Sequence, residues 1–126
     1  MHKRSAFTLV EIMIVVAIIS LLAAIAVPNF LRARKRSQAT RVLEDLRVID
    51  NALDQYAMET NKTSGADVNF VDLKNYIKTG TTLYTTGADI FGAVYGPFTV
   101  DHPPIVATTT FNSLSDVAPL SFWSPY

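Results

Sequence analysis

The apolar positions of this chain are concentrated in one unbroken run near its start. Residues 12–27 contain no charged side chain, and the mostly apolar segment from Phe7 to Val27 has 21 residues. As a helix, this segment would be about 31 Å long at ~1.5 Å per residue, which matches the hydrocarbon core of a bilayer. We therefore predict a membrane-spanning helix over residues 7–30.

The spacing of apolar positions then changes to every third or fourth residue, which predicts an amphipathic helix over residues 31–58. The positions on its apolar face are Ala39, Val42, Leu43, Leu46, Ile49, Leu53, Tyr56 and Ala57. This helix continues the apolar one and is expected to end near Met58 or Glu59. On its polar side, Asp50 and Asp54 follow Arg47 within helical reach, and we expect these charges to form mostly a solvated surface, with each pair worth roughly a few tenths of a kcal/mol.

Residues 59–126 are expected to form a small globular head built from short elements. Asp67 or Asn69 can cap a short helix that runs through Ile77 and stops before Gly80. Extended segments are predicted where apolar residues lie between glycines and prolines, around Leu83–Tyr84, Ala93–Tyr95, Phe98–Val100 and Ile105–Thr110. These pieces need the amphipathic helix to complete a core. The predicted class is α+β, with a small antiparallel sheet packed on the second half of one long helix.

Glu11 lies directly before the uncharged run. An ionised side chain at hydrocarbon depth costs roughly 2.5–3.5 kcal/mol, and a simple anchor gains nothing from it. One interpretation is a solvated acid at the membrane interface without a role. The other, which we prefer, is a functional carboxylate that needs a cation as partner.

Two processing routes fit the start of the chain, where His2, Lys3 and Arg4 precede the apolar run as in an export signal. A signal peptidase could cut after Ala24-Ile25-Ala26 and release a protein that begins at Val27. Alternatively, a cut between Ala6 and Phe7 would keep the helix in the mature chain. A charge inside the apolar core of a signal peptide serves no purpose, which favours the second route.

The stretch from Ala6 to Phe30 resembles the N-terminal segment of type IV pilins and type II secretion pseudopilins. The likeness is carried by the basic leader, by Phe7-Thr8-Leu9, by Glu11 at the fifth position after the cut and by Pro28 near the end of the run. It implies a leader peptide over residues 1–6, cleavage before Phe7 by a prepilin peptidase, and N-methylation of Phe7 by the same enzyme. Ala6 stands where the family usually has glycine, and we expect this to slow cleavage without abolishing it.

This resemblance implies a structural subunit of a type IV pilus-like filament, a helical homo-oligomer assembled by an inner-membrane platform and an ATPase. A pseudopilin of a type II secretion system is the alternative, and a secreted or membrane-tethered binding module that never assembles is the alternative of another class. Cleavage would free an amine at Phe7, one helical turn from Glu11, that could neutralise Glu11 in the same chain or the next subunit. The family resemblance implies that the amine pairs with Glu11 of the next subunit. Such a head-to-tail contact builds an open filament.

The resemblance also implies a single pass through the bacterial inner membrane with the head outside the cytoplasm, and a cell-surface or periplasmic filament after assembly. The basic cluster Arg32, Arg34, Lys35 and Arg36 would place the head in the cytoplasm by the positive-inside tendency. We follow the family, and we expect the cluster to contact lipid headgroups before assembly rather than nucleic acid. Pro28 is expected either to kink the helix or to mark its exit from the membrane.

No catalytic, cofactor or metal site is predicted, so we do not expect an enzyme. The chain has no cysteine, and His102 next to two prolines is typical of a turn. Asp67-Val68-Asn69 lacks the glycine and the terminal glutamate of a calcium loop, and Thr86–Ile90 is a poor match to the acidic loop of major pseudopilins. The aromatic tail Phe122–Tyr126 is expected to pack as core or as a subunit contact.

Overall fold

The computed structural model describes residues 4–126, and one long helix dominates it. Helix α1 spans Leu9–Thr60 and continues through Pro28 as a single element. It contributes to two compact units, one ending at Arg34 and the other covering Lys35–Tyr126, which we call the packed unit. The predicted continuity of the apolar and amphipathic segments is therefore confirmed, whereas the kink at Pro28 stays a prediction.

The end of α1 falls within two residues of the predicted one. Asn61 follows the helix with a φ of 50°, a left-handed conformation that asparagine tolerates better than most residues. The amide of Lys62 donates to the carbonyl of Ala57 at 3.3 Å and so satisfies one of the last helical carbonyls.

The remaining elements of the packed unit are short. They are strand β1 (Asp67–Val68), helix α2 (Phe70–Leu73) followed by a 3₁₀ turn (Lys74–Tyr76), helix α3 (Thr82–Thr86), strand β2 (Phe98–Thr99), helix α4 (Thr108–Leu114) and helix α5 (Leu120–Trp123). The two strands are antiparallel, with Asp67 opposite Thr99 and Val68 opposite Phe98. This arrangement confirms the predicted α+β class with a long N-terminal helix and a small antiparallel sheet.

The core of the packed unit forms on the predicted apolar face of α1. The buried residues of the helix are Ala39, Val42, Leu43, Leu46, Ile49, Ala52 and Leu53. They belong to one cluster with Leu73 of α2, Leu114 of α4 and Trp123 of α5. Trp123 is 1 % exposed, and its indole Nε1 donates to the carbonyl of Ala118 at 3.1 Å. Trp123 of the aromatic tail thus packs in the core, which was one of the two roles expected for the tail.

One of the predicted extended segments is helical and the end of a second lies in a helix, so the prediction was wrong at these residues. Leu83–Tyr84 lies in α3, which begins because the hydroxyl of Thr81 accepts from the amide of Tyr84 at 3.2 Å and ends at Gly87 with a φ of 62°. The segment Ile105–Thr110 runs into α4, whose helical spacing buries Thr110 and Leu114 together. Local capping and four-residue burial spacing outweigh the β-branched composition that suggested strands.

The other extended predictions fared better. Phe98–Val100 contains β2, and Ala93–Tyr95 contributes only an isolated antiparallel bridge between Val94 and Ala88. The helix after Asn69 is confirmed, with Asn69 as its N-cap. Strand β1 was not predicted, because its two residues are too short to give a period-two pattern.

Leu46→Ala should lower the free energy of unfolding of the packed unit by about 2–5 kcal/mol, since Leu46 is fully buried and the truncation leaves a cavity. Val48→Ala, on the same helix but 40 % exposed, should change it by no more than ~0.5 kcal/mol. Urea unfolding of the full chain in detergent, followed by the fluorescence of Trp123, measures both. Equal effects of the two variants would contradict the assignment of the buried face.

Candidate assembly site at the start of the long helix

The predicted cleavage junction lies just before α1. Residues 4–8 have no regular secondary structure and are exposed, so the peptide bond between Ala6 and Phe7 is open to solvent on both sides. The Phe7 side chain is 82 % exposed. Met1, His2 and Lys3 of the predicted leader lie outside the described residues.

Thr8 and Glu11 form a reciprocal cap on the first turn of α1. The amide of Glu11 donates to the hydroxyl Oγ1 of Thr8 at 3.2 Å, and the amide of Thr8 donates to the carboxylate Oε2 of Glu11 at 3.2 Å. This is a capping box, which satisfies two backbone amides that a helix start leaves without partners. The cap also holds the Glu11 carboxylate at the positive end of the helix dipole.

The sequence interpretation missed Thr8 and this local role of Glu11. The signal was present, since threonine followed three residues later by glutamate before an apolar run is typical of a capping box. The structure places Glu11 in the first turn of α1, whereas Phe7 lies two residues before the helix begins. Within residues 4–126 Glu11 makes no ion pair, so the cation expected for it stays a prediction.

The apolar run after Glu11 is uncovered. None of residues 9–34 is buried. Ser20 lies inside the run, and its hydroxyl donates to the carbonyl of Val16 at 2.8 Å, which satisfies it within the helix. Among residues 4–126, α1 is the one helix long and apolar enough to cross a membrane.

A family model described as the prokaryotic N-terminal methylation motif matches residues 1–27. The chain carries this motif. It covers the predicted leader, the Ala6-Phe7 junction, Thr8 and Glu11, and most of the apolar run.

Curated relatives extend the similarity beyond the motif. The chain is 33 % identical over 61 residues to the type II secretion system core protein G of Aeromonas hydrophila, covering 48 % of this chain and 43 % of that protein. It is 40 % identical over 62 residues to the type IV major pilin protein PilA of Myxococcus xanthus, covering 49 % of this chain and 28 % of that one. It is 36 % identical over 73 residues to the type IV wide pilus major component PilA4 of Thermus thermophilus, covering 58 % of this chain and 56 % of that one.

These matches confirm the resemblance to type IV pilins and type II secretion pseudopilins that the sequence predicted. The matched regions span only about half, or less, of the lengths of these relatives. The relatives are named as pilins and secretion-system core proteins, and none of these names is that of an enzyme. No solved structure matches the chain.

Asp89 organises the loop that the sequence interpretation had compared with a calcium loop. The side chain is 6 % exposed, and its carboxylate accepts bonds from the amides of Phe91 and Ala93, each at 2.9 Å. The hydroxyl of Thr110 donates to the other carboxylate oxygen. Protein donors therefore occupy both oxygens of this carboxylate. In the described part of the chain, no group of three or more metal-ligating side chains occurs.

Three tyrosine hydroxyls tie the head to acidic side chains of α1. Tyr95 donates to Asp45 at 3.3 Å, Tyr126 donates to Asp50 at 3.1 Å, and Tyr76 donates to Glu59. Arg47 forms no ion pair with Asp50 or Asp54. Arg47 instead reaches back to Glu44 at 2.9 Å, which leaves Asp50 to the tyrosine.

Asp45 is the acid of α1 whose surroundings change its titration. Partial burial raises the pKa of its carboxyl, and the hydrogen bond from Tyr95 and the charge of Arg41 lower it by less. Burial, followed by the nearby charges of Asp45 and Asp89, strongly raises the pKa of the Tyr95 hydroxyl, which keeps it a donor. Tyr95 therefore stays protonated and donates to Asp45 at neutral pH.

Asp45→Asn should remove a pH dependence of stability. A carboxyl whose pKa is higher in the folded than in the unfolded state binds its proton more tightly when folded, so stability falls as pH rises from the ordinary value of 3.8 through the raised one. The variant lacks this loss but keeps an acceptor for Tyr95. As the pH rises from about 4 towards neutrality, the free energy of unfolding of the variant should therefore increase relative to that of the unaltered chain.

Urea titrations of both chains across that range measure this difference. Asp54→Asn is the matched control, since Asp54 is exposed on the same helix. A gap that stays constant with pH for Asp45→Asn would contradict the assignment.

Proposed function

We propose that this chain is the structural subunit of a type IV pilus-like filament. A prepilin peptidase cuts before Phe7 and methylates the new amine, and the mature chain polymerises through α1. The observation that carries this proposal is the methylation motif over residues 1–27 together with the first half of α1, in which residues 9–34 are all exposed.

Before assembly, the apolar half of α1 is held in the bacterial inner membrane with the head outside the cytoplasm, and the arginines after the run contact lipid headgroups. Lipid tails cover the apolar surface in this state. In the filament, the same surface is covered by α1 of neighbouring copies, with Pro28 near the end of the buried stretch. An inner-membrane platform and an ATPase drive the transfer between the two environments.

The acid of the cap registers the subunits. Cleavage replaces the backbone amide of Phe7 by a charged amine, and Glu11 of an adjoining copy neutralises it in a medium where an unpaired charge is costly. Because each copy gives its amine to one neighbour and its carboxylate to another, the contact is heterologous and propagates as an open helix. The capping box supports this role by holding the carboxylate at the N-terminal end of α1.

A pseudopilin of a type II secretion system is the second candidate. The similarity to core protein G of Aeromonas hydrophila supports it, and the similarity to PilA of Myxococcus xanthus supports the pilus. Both functions use the same processing and the same N-terminal contact. They differ in whether the filament leaves the cell surface or stays in the periplasm, which electron microscopy of labelled filaments distinguishes.

Mass spectrometry of the mature protein tests the processing step. We expect a chain that begins at Phe7 and carries one methyl group on its amine. A chain that begins at Val27 would contradict the proposal and support a secreted, non-assembling module. A precursor that accumulates beside the mature form would fit slow cleavage after Ala6, and Ala6→Gly should then reduce the precursor.

Glu11→Gln separates the charge of Glu11 from its capping role. Glutamine still completes a capping box but cannot neutralise an amine, whereas Glu11→Ala loses both functions. We expect both variants to remain in the membrane fraction and both to vanish from sheared filaments. Thr8→Ser, which keeps the cap and the charge, should assemble normally. Normal assembly of Glu11→Gln would show that the cap, and not the charge, is what the filament needs.

A further inference from the structure

Three arginines of α1 have no partner in the part of the chain that the structure describes. Arg32, Arg34 and Arg36 are exposed, and we call residues 32–36 the arginine segment. Lys35 in the same segment is already paired with Asp116 of the packed unit at 2.9 Å. These arginines are therefore available to pair with a negatively charged group outside their own copy.

Acids without a partner lie elsewhere on the packed unit. A cleft of about 390 Å³ is lined by Asp50, Leu53 and Asp54 of α1 together with Asp101 and His102 after β2, and we call it the acidic cleft. Asp50 already accepts a hydrogen bond from the hydroxyl of Tyr126. Asp54 and Asp101 are exposed and accept no side-chain hydrogen bond or ion pair from residues 4–126.

Arg36 cannot reach Asp54 of the acidic cleft within its own copy. Arg36 and Asp54 are 18 residues apart on α1, or about 27 Å along a helix, far beyond the ~4 Å of an ion pair. A second copy displaced along α1 by this distance brings opposite charges together.

We propose that the arginine segment of one copy docks on the acidic cleft of another copy in the filament, displaced from it by about 27 Å along the helix axis. This inference rests on the proposed function and adds a second contact to the pairing of Glu11 with the neighbouring amine. The arginine fork suits carboxylates, because its planar donors match both oxygens. The contact is heterologous as well, since a copy uses its arginines on one neighbour and its acids on another. It joins copies that lie further apart along the filament than the two copies paired through Phe7 and Glu11, whose offset is only about one helical turn.

Cysteine cross-linking tests this contact directly, because the chain has no cysteine of its own. In Arg36→Cys/Asp54→Cys, a disulfide within one copy is impossible, since bridged Cα atoms lie at most about 7 Å apart. Mild oxidation of filaments should therefore give a ladder of covalent multimers on a non-reducing gel. Each single variant should stop at dimers, and Arg36→Cys/Asn112→Cys, with the second cysteine on the exposed side of α4, should give no ladder.

Charge exchange gives a second readout. Arg36→Asp and Asp54→Arg should each reduce the filament yield by about fivefold, the size expected when a surface ion pair becomes a like-charged pair. The double exchange should restore the yield to within roughly twofold of the unaltered chain. A double variant that assembles no better than the worse single variant would overturn the proposal.

The outcomes also separate this inference from the proposed function. Normal filaments of the double-cysteine variant without a ladder would overturn the docking and leave the filament role intact. If the arginine variants instead lose binding to vesicles of phosphatidylglycerol and phosphatidylcholine while assembling normally, the arginine segment binds lipid only and the docking is wrong. If the unaltered chain forms no filaments at all, both the proposed function and the docking fail.

Discussion

The apolar surface of α1 between Glu11 and the arginine segment is the constraint on which the rest of the molecule depends. Every side chain of this stretch lies open, and an uncovered apolar helix of this length is not stable against water. The chain therefore always needs a cover, either lipid tails or copies of itself. This surface begins after Glu11, the acid of the cap, and ends before the unpaired arginines.

The two covers place different demands on Glu11. In a bilayer, the carboxylate lies at the edge of the apolar run, where its bonds to Thr8 satisfy the start of the helix. Between packed helices, water is excluded and a carboxylate without a cation is costly. In the proposed filament, the change of cover would therefore turn a capping residue into a group that selects how copies align. Exposed surface ion pairs, worth ~1 kcal/mol or less, can refine this alignment but cannot replace it.

The parts of the fold that follow from the sequence are those with a long, regular pattern. The apolar run and the face from Ala39 to Leu53 gave the bounds of α1 to within two residues, because many positions report on one period. The short elements of the head were less predictable. At Leu83–Tyr84, a single threonine cap favours a helix over a strand. In Ile105–Thr110, Thr110 is buried and donates to Asp89, a contact between distant residues that no local pattern indicates. At the assembly site, Phe7 and Glu11 were predicted from their spacing, while Thr8 was overlooked although its pattern was present.

The core of the packed unit has a consequence for how the protein is made. Leu46, Ile49 and Leu53 of α1 belong to the same core as Trp123, almost at the other end of the chain. A ribosome delivers α1 first, so the apolar half can enter the bilayer while the partners of the other half are still being synthesised. Under the proposed membrane anchoring, a newly made chain would therefore be tethered before the core of its packed unit is complete.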